Sequence, residues 1–150
     1  MNKGAHFLER NPVGFRPNRC QFTVIRENEL VRLDQDWDFV AQFYFWRIKA
    51  GYEIDGATVP WPFWSLTYRP TSPVVIPAAF KHDIFCEVKP EGTDSAIAAA
   101  DFKQDVIEAG GSKRRAERMR WAIAEFGPTW GPTRARLLHE ASLDESMGDL

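Results

Sequence analysis

Trp37-Asp38-Phe39-Val40-Ala41-Gln42-Phe43-Tyr44-Phe45-Trp46-Arg47-Ile48 is the stretch on which the reading of the fold turns. Aromatic and β-branched residues fill it and helix formers are scarce, so it predicts a strand. Alternation puts Val40, Gln42, Tyr44, Trp46 and Ile48 on one face and Phe39, Ala41, Phe43 and Phe45 on the other. Both faces are apolar, which predicts a single central strand covered on both sides.

Upstream, residues 20–26 and 29–33 are short runs rich in Thr, Val, Ile and Leu, joined at Glu27-Asn28, and predict a hairpin. Before them, Pro12, Gly14 and Pro17 mark residues 11–19 as an extended lead-in, with Phe15 as its anchor. Downstream, residues 51–60 predict a short strand running into an Asp55-Gly56 turn. Pro60, Pro62, Pro70 and Pro73 then punctuate a loop carrying Trp61, Phe63, Trp64 and Tyr68, aromatics placed either to cap the core or to face a partner.

From Pro77 the pattern becomes helical. Pro77 suits a first turn, residues 78–88 continue it, and Pro90-Glu91-Gly92 stops it. Thr93 or Asp94 caps a second helix from about 95 to 109, closed by Gly110-Gly111. Ser112 opens a third, with Ala116, Met119, Ala122, Ile123 and Phe126 as its apolar stripe and Lys113, Arg114, Arg115, Arg118 and Arg120 away from it; Gly127-Pro128 ends it. A short helix over 133–142 and an acidic tail over 143–150 complete the chain. Strands first and helices after predict an α+β fold: N-terminal antiparallel strands with three to four helices packed on the sheet, one domain over 1–142.

Length and composition fit that expectation. At 150 residues, 44% hydrophobic and 27% charged, the chain has the make-up of one globular domain and not of a disordered or repeat protein. A net charge of -2 gives no global basic field, which argues against a nucleic-acid partner held by net charge. Two cysteines, Cys20 and Cys86, lack Cys-x-x-Cys spacing and predict inert thiols in a reducing compartment, with one bridge left open. The longest apolar run, 74–80, falls far short of the roughly 18 residues of a membrane span and is broken by Pro77, and no signal segment follows Met1; a soluble protein is expected.

Three places put ionisable residues where the pattern predicts apolar surroundings, and unpaired buried charge is costly. Asp55 fits an Asp-Gly turn, its carboxylate accepting from backbone N–H groups. His82 shares its helical face with Ala78, Ala79, Phe85 and Cys86, so its imidazole should point to the core; a satisfied core histidine competes with a ligand. Asp83 sits about 100° further around the axis, and a neutral imidazole beside a carboxylate is the start of a Zn, Mn or Fe site. Asp101 and Asp105, four apart on one face, repel each other and want a cation, with arginines of the next helix as the expected neutralisers. No Gly-x-Ser-x-Gly elbow, cysteine-nucleophile context or Gly-rich phosphate loop is present. His6 and His139 lie in terminal segments. Lys113, Arg114, Arg115 and Arg118 make a possible phosphate contact, though a solvated helix surface looks the same.

Taken together, Gly51-Tyr52-Glu53-Ile54-Asp55-Gly56-Ala57-Thr58-Val59-Pro60, the aromatic loop, Phe80-Lys81-His82-Asp83-Ile84-Phe85, Ala100-Asp101, Met119-Arg120-Trp121-Ala122-Ile123 and Gly127 resemble a phage and prophage family known as domain of unknown function 1353. The resemblance covers residues 37–131. It implies a phage-related origin and a recurrent polar set at Asp55, His82 and Asp83, and supplies no activity. Thr58 replaces a family Ser, Ile84 and Cys86 replace tyrosines, and Ala99 holds the place relative to Phe102 where the family has Asp, so Asp101 is a shifted equivalent.

Two main readings of function follow, with a nucleic-acid partner through the basic helix 113–120 as a third that a steep salt dependence of binding would reveal. In one, the chain is a non-enzymatic virion component or host-interaction factor; Asp55, His82 and Asp83 form a buried network between strands and helices, and Trp61, Phe63, Trp64 and Tyr68 are the contact surface for a phage or host protein. In the other, Asp55, His82 and Asp83, with Asp101, hold a divalent Zn, Mn or Fe ion that activates water against a phosphoester or cell-wall bond. The host cytoplasm or the virion is the expected location.

Overall fold

The structure is a computed structural model, and it describes residues 3–55 and 67–131. A short 3-10 helix, Lys3–His6, leads into β1 (Leu8–Arg10), β2 (Phe22–Arg26), β3 (Leu30–Leu33), β4 (Trp37–Ala41), β5 (Tyr44–Ile48) and β6 (Glu53–Ile54), then α1 (Ile76–Val88), α2 (Ser95–Glu108) and α3 (Lys113–Phe126). The fold is α+β, strands N-terminal and helices C-terminal, as expected. Two antiparallel three-stranded sheets form, ordered β1-β5-β4 and β2-β3-β6. The 3-10 helix and β1 carry no sequence signal strong enough to announce them; β1 is three residues long and exists as an edge laid on β5.

The stretch 37–48 is not one strand. It folds back at Gln42-Phe43, pairing Ala41 with Tyr44, Phe39 with Trp46 and Trp37 with Ile48. Both turn residues have positive φ, +50° and +66°, the condition for the two-residue turn that suits the twist of paired strands. The reversal resets the alternation. Trp37, Phe39, Ala41, Trp46 and Ile48 face inward and are buried, whereas Val40, Phe43 and Phe45 are exposed. Neither Gln nor Phe is a turn former, which is why the sequence reads as continuous. Tertiary bonds hold the turn instead: the buried Gln42 amide donates to Asp101 Oδ2 (3.1 Å) and accepts from the Asp94 N–H (3.4 Å), while the Trp46 indole donates to the Ala41 carbonyl (2.6 Å).

The lead-in packs on the outer face of this hairpin. Phe15 stacks on Phe45 at 4.6 Å, and the Arg16 N–H and the Arg47 guanidinium both donate to Asp38. Arg47's hydrogen bonds hold the Asp38 carboxyl below its usual range. The β2–β3 hairpin sits where the pattern puts it; of the strand expected over 51–60, β6 covers two residues, and 56–60, with the Gly56 of the expected turn, lie outside the described residues.

Local signals fix the helices. Pro77 occupies the first turn of α1; Asp94 caps α2, accepting from Ala96 N (2.7 Å) and Ile97 N (3.4 Å); Ser112 caps α3, accepting from Arg115 N (3.1 Å). The core joins Val31, Leu33, Trp46 and Ile48 of the sheets to Ile76, Phe80, Ile84, Phe85, Phe102, Val106 and Met119 of the helices. Phe126 departs from the expected stripe: it is 54% exposed and meets the half-exposed Trp121 edge-on, because the last turn of α3 runs past the core. After α3 the chain turns back, and Trp130 is pinned to the start of α2 by mutual hydrogen bonds with Ser95. Gly131, at φ +74°, follows so closely that a Cβ would collide with the Thr93 carbonyl oxygen. The expected helix 133–142 and the tail 143–150 lie outside the described residues.

Candidate functional site

Lys81, His82 and Asp83 follow one another in the middle of α1, and the helix sends each somewhere different. Lys81 reaches α2 and bonds Asp105 Oδ1 at 3.1 Å, with its ammonium 5.2 Å from the Trp37 ring centre and 4.8 Å from that of Phe39. Asp105 therefore finds its cation on the preceding helix and not, as expected, on arginines of the next one. Geometry explains the correction: the Asp101–Asp105 face looks toward α1 and the β4–β5 hairpin, while the α3 arginines lie on an exposed surface. Asp101 accepts from Gln42 instead. Burial raises the pKa of both carboxyls and Lys81 pulls each back down. Asp105 Oδ2 is buried without a partner.

His82 turns toward Phe102 of α2, meeting its ring edge-on at 5.8 Å, and its ring nitrogens lie 3.6 Å from Cys86 Sγ one turn on. No carboxylate among the described residues pairs with it. Burial pushes its pKa down to about 4, so the imidazole is neutral at pH 7.

Asp83 moves the other way. Burial, then the charges of Asp55 and Glu87, raise its pKa to about 7. Asp55, exposed at the end of β6, is thus within electrostatic reach of Asp83. Glu87 was missed, although it stands one turn beyond Asp83 on the same helix face. It accepts from the Tyr52 hydroxyl (2.8 Å) and the Gly4 N–H (2.8 Å), tying the 3-10 helix and the approach to β6 onto α1. Burial and the bond to Glu87 raise the Tyr52 pKa.

Two cavities meet at His82. One, of about 110 Å³, is lined by His82, Asp83, Cys86, Phe102 and Phe126 among others; the second, of about 230 Å³, shares His82, Ile123 and Pro128 with it. Neither thiol is activated. Burial raises Cys86 to about 11, against a smaller opposing pull from Trp130, whose indole N–H is buried without a hydrogen bond of ordinary geometry. Cys20 rises to about 12, and both cysteines are free, so the bridge left open does not form. Among the described residues no three His, Cys, Asp or Glu side chains converge as a metal ion requires, and no helix is long and apolar enough to cross a membrane. Asp101 is engaged in the Gln42 seam.

Of the aromatic loop, Trp61, Phe63 and Trp64 lie outside the described residues. Tyr68 is half-buried: its hydroxyl accepts from Ser112 N at 2.8 Å, and Arg115 lies over its ring at 5.2 Å. Lys113, Arg114 and Arg118 are exposed on α3.

Comparison with known proteins places this architecture in company without an activity. A family model described as a protein of unknown function (DUF1353) matches residues 31–123, a span holding Asp55, His82, Asp83 and Asp101. The chain is similar to the uncharacterized protein y4jT of Sinorhizobium fredii (strain NBRC 101917 / NGR234), at 32% identity over 85 residues, covering 57% of this chain and 25% of that protein. It thus spans about a quarter of that relative's length. No solved structure matches.

Proposed function

The chain belongs to the DUF1353 family of proteins of unknown function, and from that premise we propose that it works by binding: a phage- or prophage-derived interaction protein, acting in the host cytoplasm or on the virion, whose contact surface is the tip of the β4–β5 hairpin. The observation that carries this reading is Phe43. It stands at the apex of the turn, 83% exposed, at φ +66°, flanked by the 60% exposed Val40 and the 49% exposed Phe45. A left-handed backbone costs a non-glycine residue about 1–2 kcal/mol, and the 83% exposed ring recovers little of it by packing among the described residues. Strain combined with an exposed apolar side chain on a rigidly held tip is what a partner would relieve. This surface is a different one from the 61–68 loop, whose Trp61, Phe63 and Trp64 lie outside the described residues.

The His82 cleft supports binding better than nucleophilic catalysis. A Cys86 thiol near 11 leaves about one thiolate in 10⁴ at pH 7, and His82 has no described carboxylate to orient it as a base.

The test is a photo-crosslinking side chain at position 43, compared with one at the exposed Glu108, in the bacterium carrying the gene. A discrete adduct to a phage or host protein from position 43 alone is expected; matching or absent adducts would sink the reading.

A metal-dependent hydrolase is the second reading, favoured by Asp83, whose raised pKa beside Asp55 is what a cation would reverse. A structural or catalytic ion takes three or more protein donors; the charges of Asp55 and Glu87 both act on Asp83, but among the described residues no three such side chains converge as an ion requires. Metal content of protein purified without chelator, beside Asp55→Ala and His82→Ala, decides it: near-stoichiometric Zn, Mn or Fe lost in both variants would establish the centre.

A further inference from the structure

Between the β2–β3 turn, the residues leading into α1 and the start of α3 lies a polar cavity of about 460 Å³. It is remote from the His82 cleft in its lining and owes nothing to the hairpin tip. Two guanidiniums, Arg69 and Arg115, line it, and neither has an ion-pair partner among the described residues.

The wall is built and not merely adjacent. Arg115 rests on the Tyr68 ring at 5.2 Å, and that ring is itself fixed because the Tyr68 hydroxyl accepts from Ser112 N at 2.8 Å. Opposite, the Thr71 hydroxyl accepts from Asn28 N (2.9 Å) and donates to Asn28 Oδ1 (3.3 Å), locking the β2–β3 turn against the segment that carries Arg69. Ser72 contributes a hydroxyl to the lining. The one carboxylate on the rim, Glu27, is exposed and bonds neither arginine.

The sequence of α3 breaks an electrostatic rule at the same place. Lys113, Arg114 and Arg115 fill its first turn, which holds no acid, although the unpaired N–H groups there repel cations. A chain with net charge -2 has no general need of three adjacent cations at that end. An anion in the cavity would pair the two guanidiniums and set a counter-charge beside Arg115, the first-turn cation of α3 that lines it.

We infer that this cavity binds the phosphate group of a small phosphate monoester, held by Arg69 and the Tyr68-braced Arg115, with Ser72 as a further donor. Guanidinium forks match the oxygens of a tetrahedral dianion, which a doubly charged monoester supplies and a singly charged diester does not. The volume exceeds that of a bare phosphate and falls in the range of small-ligand sites, so the organic part of the ester fits beside it.

Calorimetric titration of the full chain with inorganic phosphate, a nucleoside 5′-monophosphate and a single-stranded oligonucleotide lacking terminal phosphates tests this. The monophosphate should bind, the oligonucleotide at least about tenfold more weakly, and Arg69→Gln should weaken the monophosphate about tenfold while leaving the unliganded melting temperature unchanged, since Arg69 is exposed. Arg115→Lys, which keeps the charge and loses the fork, should weaken it too. No binding of phosphate or monophosphate at about 10 mM, an Arg69→Gln protein that binds like the parent, or an oligonucleotide that binds more tightly than the monophosphate would each overturn the proposal; the last would assign the arginines to a phosphodiester backbone.

Discussion

Lys81 and its neighbours His82 and Asp83 lie on one helix within a single turn, yet Lys81 is inside a polar seam with a buried ion pair while His82 and Asp83 border cavities with no partner of opposite charge among the described residues. Lys81 meets Asp105, and the parallel pair Gln42–Asp101 closes the seam beside it. His82 has only a thiol at 3.6 Å and a ring edge, and Asp83 has two like charges nearby. Burial costs a polar group the same solvation on either side; what differs is whether the fold returns a partner. The seam is explained by stability alone, whereas in the cleft burial shifts both groups, and Asp83 keeps its proton up to a pH at which water would have removed it.

Breaking the seam should have the largest effect. Lys81→Ala strands a buried Asp105 and should cost about 3 kcal/mol in denaturant unfolding at pH 7. The loss should shrink on acidification as Asp105 protonates, and the double variant Lys81→Met/Asp105→Leu should recover most of it. A Lys81→Ala protein as stable as its parent would erase the distinction between the two regions.

The cleft should reveal itself through pH. His82, lowered from 6.5 to about 4, binds its proton more readily unfolded, so its contribution is present above pH 6.5 and lost as pH falls toward 4. Asp83, raised from 3.8 to about 7, has the opposite sign: its contribution is present below 3.8 and lost as pH rises through 7. The two nearly cancel in the parent between pH 4 and 6.5. Asp83→Asn should expose the histidine, losing about 3 kcal/mol more than the parent from pH 7 to 4, and His82→Gln should gain stability relative to the parent over the same range. Parallel profiles for all three proteins in pH-resolved unfolding would show that the two groups titrate alike in both states.

Gln42 sharpens the comparison from the sheet side. Gln42→Ala removes the amide that serves Asp101 and the Asp94 N–H, and should lower stability by about 1–3 kcal/mol in the same unfolding assay. The smallest effect is a gain: Phe43→Gly relieves the positive φ of an exposed residue and should raise the unfolding free energy by about 0.5–1 kcal/mol, while abolishing any crosslink from the tip. A destabilised Phe43→Gly protein would mean that the ring packs within the chain.

Much of this was legible from the chain. The β2–β3 turn and the three helix starts lie in the sequence because caps, Pro77 and the Gly-rich stops act over a few residues. Asp55 and Asp83 were grouped only through the family resemblance. Illegible were β1, which borrows its shape from β5, and Glu87, whose partners Gly4 and Tyr52 stand 83 and 35 residues away.

The sequence by itself determined the order of strands and helices, the helix boundaries and the inward side of α3, since these follow from local hydrogen bonding and a 3.6-residue period. Only the tertiary structure decided that residues 37–48 reverse at Gln42-Phe43. Two residues with no preference for positive φ turn there because a buried amide is held from α2, 52 and 59 residues downstream. The same long-range pairing decided the fates of Lys81, His82 and Asp83. A side chain's burial and partner depend on what other elements bring to it, which no local pattern records.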